Sequence, residues 1–300
     1  MNTTTTAGAI TRRAWIVYVA VCLIFGTTFL AIKIGSNAGI PPFLAAGIRF
    51  TTAGVLLVAL RGGLFDRDTR PDLSFLWRVA LLGVLIIGVT FAATYWASGQ
   101  IASGLVAQIQ AVAPIVVAVL STVLLRTRLR TEHVIGLAVG FGGSLFLIGA
   151  ARGEGAAALA GAIAAFAAEL SFGLGTIWYR HAFGDRHDSF KINGYSMLFG
   201  GVFLLLVALL TGQTTLPRSP EAIGSLVYLI VFGSIGAHSM YLWLIANTSP
   251  LFASTWLFIS PVIATLVGVF VLGEQVGLGN VAGALAVLGG VYLVQRGERR

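Results

Sequence analysis

Charged residues are scarce in this sequence. Only 10% of its 300 residues are Asp, Glu, Lys or Arg, and 57% are hydrophobic, whereas soluble domains carry about 25% charged residues. This balance excludes a water-soluble fold and indicates an integral membrane protein. Because a membrane-spanning helix takes roughly 20 apolar residues, ten such helices leave only short connections and almost no room for a soluble domain.

Several chemical signatures are also missing. The single cysteine, Cys22, excludes an internal disulfide. Neither a Walker A motif nor HExxH occurs, so ATP hydrolysis on a phosphate loop and zinc proteolysis lack their residues. Residues 181–188 (HAFGDRHD) hold two His and two Asp, but their spacing matches no structural zinc site. We therefore expect no catalytic residue, no metal and no cofactor.

Long apolar runs fill most of the chain. A transmembrane β-barrel would show segments of about ten residues with alternating polarity, which runs such as LLGVLIIGV do not. Length and hydropathy predict ten helical spans, at residues 14–34, 42–61, 75–97, 103–125, 132–150, 157–180, 189–211, 223–247, 252–272 and 277–295.

Basic residues are distributed unevenly between the two sides of these spans. If the amino terminus is cytoplasmic, 14 Lys and Arg residues lie on that side, whereas the opposite loops hold only Arg152 and Arg218. Such a bias is typical of cytoplasmic loops. We expect a multi-pass membrane protein with both termini cytoplasmic. The net charge of +8 then reflects orientation in a lipid bilayer and not nucleic-acid binding.

The sequence repeats itself at an offset of 147 residues. Trp96 matches Trp243, Pro114 matches Pro261, and paired glycines at 142–143 match a pair at 289–290. Trp and Pro are rare here, so these coincidences predict a true internal repeat. Each copy has five spans, an odd number, and the second must therefore lie upside down relative to the first.

The predicted fold class is an all-α integral membrane protein with ten transmembrane helices in two inverted five-helix repeats. The first repeat covers 14–150 and the second 151–295, with cytoplasmic tails at 1–13 and 296–300. This architecture is typical of secondary transporters with a binding site near the membrane midplane. The alternative is a duplication that only enlarged the bundle. Polar residues at matching depths in both repeats favour transport, because an axial cavity would expose equivalent positions.

Matched polar and aromatic positions occur in the third and eighth spans. Phe91 and Thr94 correspond to His238 and Tyr241, and each pair is three residues apart, on one helical face. Tyr95 extends the first of these faces. A buried imidazole with a backbone partner is the alternative reading of His238.

Glu169 is the only acidic residue deep within a predicted span. A carboxylate there is costly unless it is paired, hydrated or protonated. It would hold a substrate ammonium group or take up a transported proton. A structural pair with Arg49 or His238 is the alternative.

The fourth and ninth spans share a polar position and a proline. Gln108 corresponds to Thr255, each six residues before Pro114 or Pro261. Because proline removes a backbone hydrogen bond and bends a helix, both prolines are candidate hinges, with ordinary packing kinks as the alternative. Gln110 is expected to face elsewhere.

The residues resemble a known family. FGTTF at 25–29, PPFLAAGIRF at 41–50, the Pro114 region and the long stretch from 260, SPVIATLVGVFVLGEQVGLGNVAGALAVLGGVYLV, are similar to the ten-helix drug/metabolite transporter superfamily, whose repeated unit is the EamA domain. Two departures occur: Phe25 stands where the family commonly has Trp, and Arg126–Thr127 replace the Gly-Glu that follows the fourth span.

This resemblance implies the export of small metabolites across a bacterial inner membrane. The length and the aromatic candidates look similar to the amino-acid exporter branch, in which aromatic side chains such as Trp256 would stack on an apolar or aromatic substrate. The predicted substrate-binding residues are Thr28, Phe91, Thr94, Tyr95, Gln108, Glu169, His238, Tyr241, Thr255 and Trp256.

Two other functions are weighed against an amino-acid exporter. The first is a multidrug or nucleotide-sugar carrier on the same fold. The second is a membrane enzyme or anchor, but an enzyme would need a nucleophile with a positioned base, and an anchor would not need Glu169 at mid-depth.

Overall fold

A computed structural model describes residues 10–60, 71–101, 106, 109–148, 155–184, 188–272 and 278–298. Apart from caps and short connections, these residues are helical, which confirms the all-α prediction. The spans are Arg12–Asn37 (first), Pro42–Leu60 (second), Leu73–Ser98 (third), Ala113–Leu124 (fourth), Thr131–Ile148 (fifth), Gly155–Ala182 (sixth), Ser189–Leu210 (seventh), Pro220–Asn247 (eighth), Pro250–Ser254 with Trp256–Leu272 (ninth), and Leu278–Glu298 (tenth).

Six of the described helices are long and apolar enough to cross a membrane, namely the first, second, third, sixth, seventh and eighth spans. Their predicted limits agree with the observed ones to within three residues. Large apolar side chains on the outside of the bundle, such as Phe146 (71% exposed) and Leu285 (65% exposed), suit a hydrocarbon environment.

The two repeats pack through equivalent helices. The second span lies against the seventh, and the fifth lies against the tenth. The remaining contacts also occur in matched pairs: the first span contacts the ninth as the sixth contacts the fourth, and the eighth contacts the first as the third contacts the sixth. A pseudo-two-fold axis in the membrane plane between two inverted repeats produces this pattern.

Glycines let the equivalent helices approach closely. A Cβ atom added to Gly143 would lie 2.7 Å from the backbone nitrogen of Val287 and 2.8 Å from the carbonyl oxygen of Gly283. At Gly54 a Cβ would lie 2.6 Å from the nitrogen of Leu198. Small residues at such contacts are the common solution for helix packing in lipid.

The third and eighth spans each contain a π-helical segment. Val84–Val89 and Leu229–His238 overlap when the repeats are matched, because the offset of 147 places the first on residues 231–236. In the third span, the hydroxyls of Thr90 and Ser171 both donate to the carbonyl oxygen of Leu85, at 2.8 Å each. The side chains therefore satisfy a carbonyl in the π segment, where regular α-helical bonding is interrupted.

Short polar side chains cap the amino-terminal ends of several spans. The Thr11 hydroxyl accepts a hydrogen bond from the backbone N–H of Ala14 at 3.2 Å, and Asp72 Oδ1 accepts one from Phe75 at 2.8 Å. Both are N-cap interactions, which satisfy otherwise free N–H groups. The hydrogen bonds from Phe75 and from the Ser74 hydroxyl hold the pKa of Asp72 below its usual value.

Candidate functional site

A cavity of about 510 Å³ lies inside the helix bundle. This volume is within the usual range for small-molecule sites. Residues from seven of the ten predicted spans form its walls, which are mainly apolar and aromatic. They are Phe25, Thr28, Phe29, Ile32, Arg49, Phe50, Ile86, Thr90, Phe91, Thr94, Tyr95, Ser98, Val106, Gln110, Glu169, Phe172, His238, Tyr241, Trp256 and Leu257.

Most of the predicted substrate-binding residues meet in this cavity. Gln108 lies outside the described residues. Thr255 is fully buried and does not line the cavity; its hydroxyl donates to the Phe252 carbonyl oxygen at 2.7 Å and lies 2.8 Å from the Tyr18 hydroxyl. The predicted residues that line the cavity are Thr28, Phe91, Thr94, Tyr95, Glu169, His238, Tyr241 and Trp256.

Equivalent positions of the two repeats face the same space. This arrangement follows from the pseudo-two-fold axis, since a cavity on the axis is lined by both copies. The matched pairs on the cavity wall are Phe25 with Phe172, Phe91 with His238, Thr94 with Tyr241, and Gln110 with Leu257.

Aromatic rings form a continuous part of the wall. The ring centroids of Phe25 and Trp256 are 4.2 Å apart, and those of Phe172 and Tyr241 are 5.7 Å apart in a stacked arrangement. Trp256 also contacts Tyr241 edge to face, at 6.4 Å. Phe25 and Phe172, which match each other at the repeat offset of 147 residues, were not among the predicted site residues, although that match is a signal that could have identified them.

Glu169 is 3% exposed and its carboxylate borders the cavity. Among the residues that the structure describes, none hydrogen-bonds or forms an ion pair with Glu169. The pair with Arg49 or His238 that the sequence left open is therefore not formed here. A buried carboxylate beside a cavity attracts a cationic group, because burial without a partner is costly.

The hydroxyl of Tyr241 already has a partner, since it lies 2.9 Å from the Thr176 hydroxyl. His238 is 7% exposed, and its buried Nε2 has no hydrogen-bond partner among the described residues. The backbone hydrogen bond that we considered as the alternative for His238 is therefore not formed at Nε2 within the described residues.

Arg49 lines the cavity as well, a role that sequence reasoning missed because it treated this residue only as a counter-ion for Glu169. Its place in the middle of an apolar span was a signal for such a role. Within the described part of the chain, Arg49 forms no ion pair.

Gln110 was expected to face elsewhere, and this was wrong, because its side chain borders the cavity. The expectation assumed one regular helix through the fourth span. The helix is instead interrupted by a turn at Ala111–Val112, and a new helix begins at Ala113.

The two prolines occupy different helical positions. Pro114 lies in the first turn of its helix, where a missing N–H breaks no hydrogen bond. Pro261 lies inside the helix Trp256–Leu272, and the ninth span is also interrupted by a turn at Thr255. Pro114 thus lies two residues after the turn in its span, whereas Pro261 lies six residues after the turn in its span.

One end of the bundle is closed by aromatic packing. We call it the termini end, because the first helix begins and the tenth helix ends there. The rings of Trp15, Tyr18 and Phe252 contact one another with centroids 4.7 to 5.6 Å apart. Arg13 lies 5.0 Å above the Trp243 ring. The cavity instead extends to Ser98, an exposed residue at the opposite end of the third span.

A cluster of polar side chains also links helices at the termini end. The Ser249 hydroxyl donates to Glu298 Oε1 at 2.5 Å, and His133 Nε2 lies 3.9 Å from the same oxygen. Arg180 donates to the carbonyl oxygens of Ile245 and Ala246. Within the described residues, no group of three or more His, Cys, Asp or Glu side chains is placed to hold a metal ion.

Several known proteins of similar sequence are described as transporters. The "Uncharacterized inner membrane transporter YedA" of Escherichia coli (strain K12) is 31% identical over 261 residues, which cover 85% of this chain and 81% of that protein. "Protein PecM" of Dickeya dadantii is 27% identical over 258 residues, covering 85% and 83%. "Uncharacterized transporter YoaV" of Bacillus subtilis is 25% identical over 289 residues, covering 92% and 94%.

A solved crystal structure shares the fold. It superimposes with a TM-score of 0.79 at 20% identity and covers 94% of this chain and 96% of the other. The family model described as the EamA-like transporter family matches residues 13–149 and again 159–296. The expected resemblance to drug/metabolite transporters is confirmed by this double match. The chain, nearly all of which is covered by two copies of this unit, belongs to the EamA-like transporter family.

Proposed function

We propose that this transporter exports amino acids, or similar zwitterions, with apolar or aromatic side chains. The observation that carries the proposal is Glu169, a carboxylate without a described partner on the wall of a largely apolar cavity. In this proposal Glu169 accepts hydrogen bonds from the substrate ammonium group, for which charge-assisted contacts are strong.

The cavity wall supports the choice of side chain. Its volume of about 510 Å³ accommodates a molecule the size of an aromatic amino acid. Phe25, Trp256, Phe172 and Tyr241 offer ring faces and edges, and aromatic rings attract one another beyond simple burial of apolar area.

The proposed mechanism is alternating access across the bacterial inner membrane. The proposed orientation has both termini in the cytoplasm, in keeping with the uneven distribution of basic residues and with the inner-membrane description of the relative YedA. With this orientation, closure at Tyr18 and Phe252 and a cavity reaching Ser98 correspond to a state that faces the periplasm.

The fourth and ninth spans are the proposed hinges. Each is interrupted by a turn, at Ala111–Val112 and at Thr255, and each carries a proline shortly afterwards, Pro114 or Pro261. A few residues at element ends commonly absorb the backbone changes of a hinge.

Counterflow in proteoliposomes tests the substrate. We expect vesicles preloaded with unlabelled phenylalanine, leucine or methionine to take up the labelled amino acid faster than empty liposomes, and Glu169→Gln to lower this uptake at least ten-fold. Glu221→Gln is the matched control, because Glu221 is exposed and does not line the cavity. It should transport at the wild-type rate.

Folded protein that gives no amino-acid flux above that of empty liposomes would end the proposal. Efflux of cationic dyes without amino-acid counterflow would instead favour a multidrug carrier on the same fold.

A further inference from the structure

Arg49 is a cation deep within the membrane domain. It lies midway along the second span, Pro42–Leu60, and is 5% exposed. No carboxylate from the described residues is within ion-pair distance of it. Burying a guanidinium without a counter-ion is unfavourable, so the cavity beside it is a place where an anion would be stabilised.

The orientation of the guanidinium is fixed by three spans. Its Nε donates to the Ser234 hydroxyl at 2.8 Å, and its Cζ lies over the rings of Phe50 and Phe91, 4.6 and 5.9 Å from their centroids. Asn193 in turn donates to the Ser234 carbonyl oxygen at 3.2 Å. Ser234 thus forms one hydrogen bond through its hydroxyl and one through its carbonyl oxygen, and together these bonds hold the Arg49 side chain in position.

The terminal Nη groups remain available for a ligand. Within the described part of the chain, the Nε contact is the only hydrogen bond of Arg49. The two Nη groups therefore present a planar pair of donors that matches the geometry of a carboxylate.

Gly233 provides the space for this side chain. A Cβ added there would lie 2.8 Å from Arg49 Nη2 and 3.2 Å from Thr28 Cγ2. A methyl group at 233 would thus displace the guanidinium while leaving its charge unchanged.

His238 adds a second donor on the same wall. It lies one helical turn beyond Ser234 on the eighth span and borders the cavity, and its buried Nε2 has no hydrogen-bond partner in the part of the chain that the structure describes. A neutral imidazole protonated at Nε2 would donate to an oxygen of a bound anion.

We propose that Arg49 and His238 form a carboxylate subsite of the cavity, separate from Glu169, with Ser234 and Asn193 as positioning residues. This subsite deepens the proposed function and rests on it for the zwitterionic substrate: the carboxylate of the substrate binds Arg49 and its ammonium group binds Glu169. The two charged side chains remain apart from each other, so that one molecule with both charges neutralises both.

Three probes with a common phenyl skeleton separate the two subsites in binding experiments. They are phenylalanine, 3-phenylpropanoate, which lacks the amine, and 2-phenylethylamine, which lacks the carboxylate. We expect Arg49→Gln to weaken phenylalanine and phenylpropanoate at least ten-fold, as measured by titration calorimetry of the purified full-length protein, and to leave phenylethylamine within two-fold. Glu169→Gln should give the opposite pattern for phenylpropanoate and phenylethylamine.

Gly233→Ala provides a variant that keeps every charge. Because the new methyl group displaces the Arg49 guanidinium, we expect weaker phenylpropanoate binding with unchanged phenylethylamine binding. Gly224→Ala is its control on the same span, since a Cβ there meets no atom within 4 Å. If Arg49→Gln does not fold, the comparison of Gly233→Ala with Gly224→Ala still tests the subsite.

The outcomes distinguish this subsite from the proposed function. If phenylalanine binding depends on Glu169 but not on Arg49 or Gly233, the carboxylate subsite is wrong and the zwitterion exporter stands. If only phenylpropanoate binds, and does so through Arg49, the anion subsite stands and the zwitterion proposal fails. Absence of phenylpropanoate binding to the wild type, or equal loss of all three probes in both variants, overturns the subsite.

Discussion

The Tyr18 hydroxyl joins the first span to the ninth at the termini end. It lies 2.8 Å from the Thr255 hydroxyl, and both side chains are buried. In Tyr18→Phe, Thr255 keeps its bond to the Phe252 carbonyl oxygen, so the Thr255 hydroxyl is not left unpaired. The variant should lose only a net hydrogen-bond contribution of about 1 kcal/mol, which is about five-fold in an equilibrium.

We expect Tyr18→Phe to raise the population of the state that opens at the termini end. The measurement is the labelling rate of Leu257→Cys, a cavity position, by an impermeant maleimide in inside-out membrane vesicles, with Cys22→Ala as background. The rate should rise about five-fold, in line with the lost hydrogen bond. Tyr292→Phe is the control, because Tyr292 is 59% exposed and outside the cavity. Equal rates in the two variants would contradict the role of Tyr18.

Repeat matching and burial chemistry predicted much of the site at this scale. Glu169 and His238 were found because polar residues deep in an apolar span have few explanations. The side-chain directions of Thr255 and Gln110 were not predictable, because Thr255 is itself a turn residue and Gln110 directly precedes a turn. Such turns break the helical period on which the prediction depends. The position of the Arg49 guanidinium depends on Ser234 and Asn193, which are distant from it in sequence. No local sequence pattern therefore predicts that its Nη groups are available to a ligand.

At the scale of the helix pair, adjacent glycines have opposite environments. A Cβ at Gly143 would meet the backbone of the tenth span at 2.7 Å, whereas one at Gly142 meets no atom within 4 Å. The repeat reproduces this contrast, since a Cβ at Gly290 would lie 2.5 Å from the nitrogen of Gly140 and one at Gly289 meets nothing.

We therefore expect Gly143→Ala and Gly290→Ala to destabilise the protein and Gly142→Ala and Gly289→Ala to leave it unchanged or more stable. The colliding atoms are backbone and cannot rotate away, so each tight variant should cost about 1–3 kcal/mol. The Tm of the detergent-solubilised protein checks this, with each neighbouring glycine as the matched control. Equal Tm values within a pair would show that the fifth and tenth helices are not packed this closely.

The positions of the spans were predictable from the sequence, but the places where a span departs from regular α-helical geometry were not. Hydropathy alone locates a span such as Leu73–Ser98, because the requirement for about 20 apolar residues is imposed by the bilayer. The π segment Val84–Val89 leaves no such mark, since its residues are as apolar as their neighbours. Its stabilising donors, Thr90 and Ser171, are identifiable only once the helices are packed.

At the scale of the whole molecule, the two ends of the pseudo-symmetric bundle differ in their residues. The termini end is closed by Trp15, Tyr18 and Phe252. In the second repeat, Ala162 and Ala165 of the sixth span occupy the positions that match Trp15 and Tyr18. At these matched positions the aromatic packing and the Tyr18–Thr255 hydrogen bond belong to the termini end, which favours the state closed there.

The asymmetry leads to a test of both orientation and alternating access. In Cys22→Ala protein carrying Trp15→Cys and Phe252→Cys, whose native ring centroids are 5.5 Å apart, a bifunctional thiol crosslinker should hold the termini end shut. We expect amino-acid flux to fall to that of empty liposomes, because a carrier that cannot open on one side cannot complete its cycle. In a separate variant, Ser98→Cys should react with impermeant maleimide added outside intact cells, since Ser98 is exposed at the far end of the cavity. Each single-cysteine variant treated with the crosslinker controls for simple modification. Continued flux in the crosslinked protein would exclude alternating access through this end, and labelling of Ser98→Cys only from the cytoplasmic side would reverse the orientation.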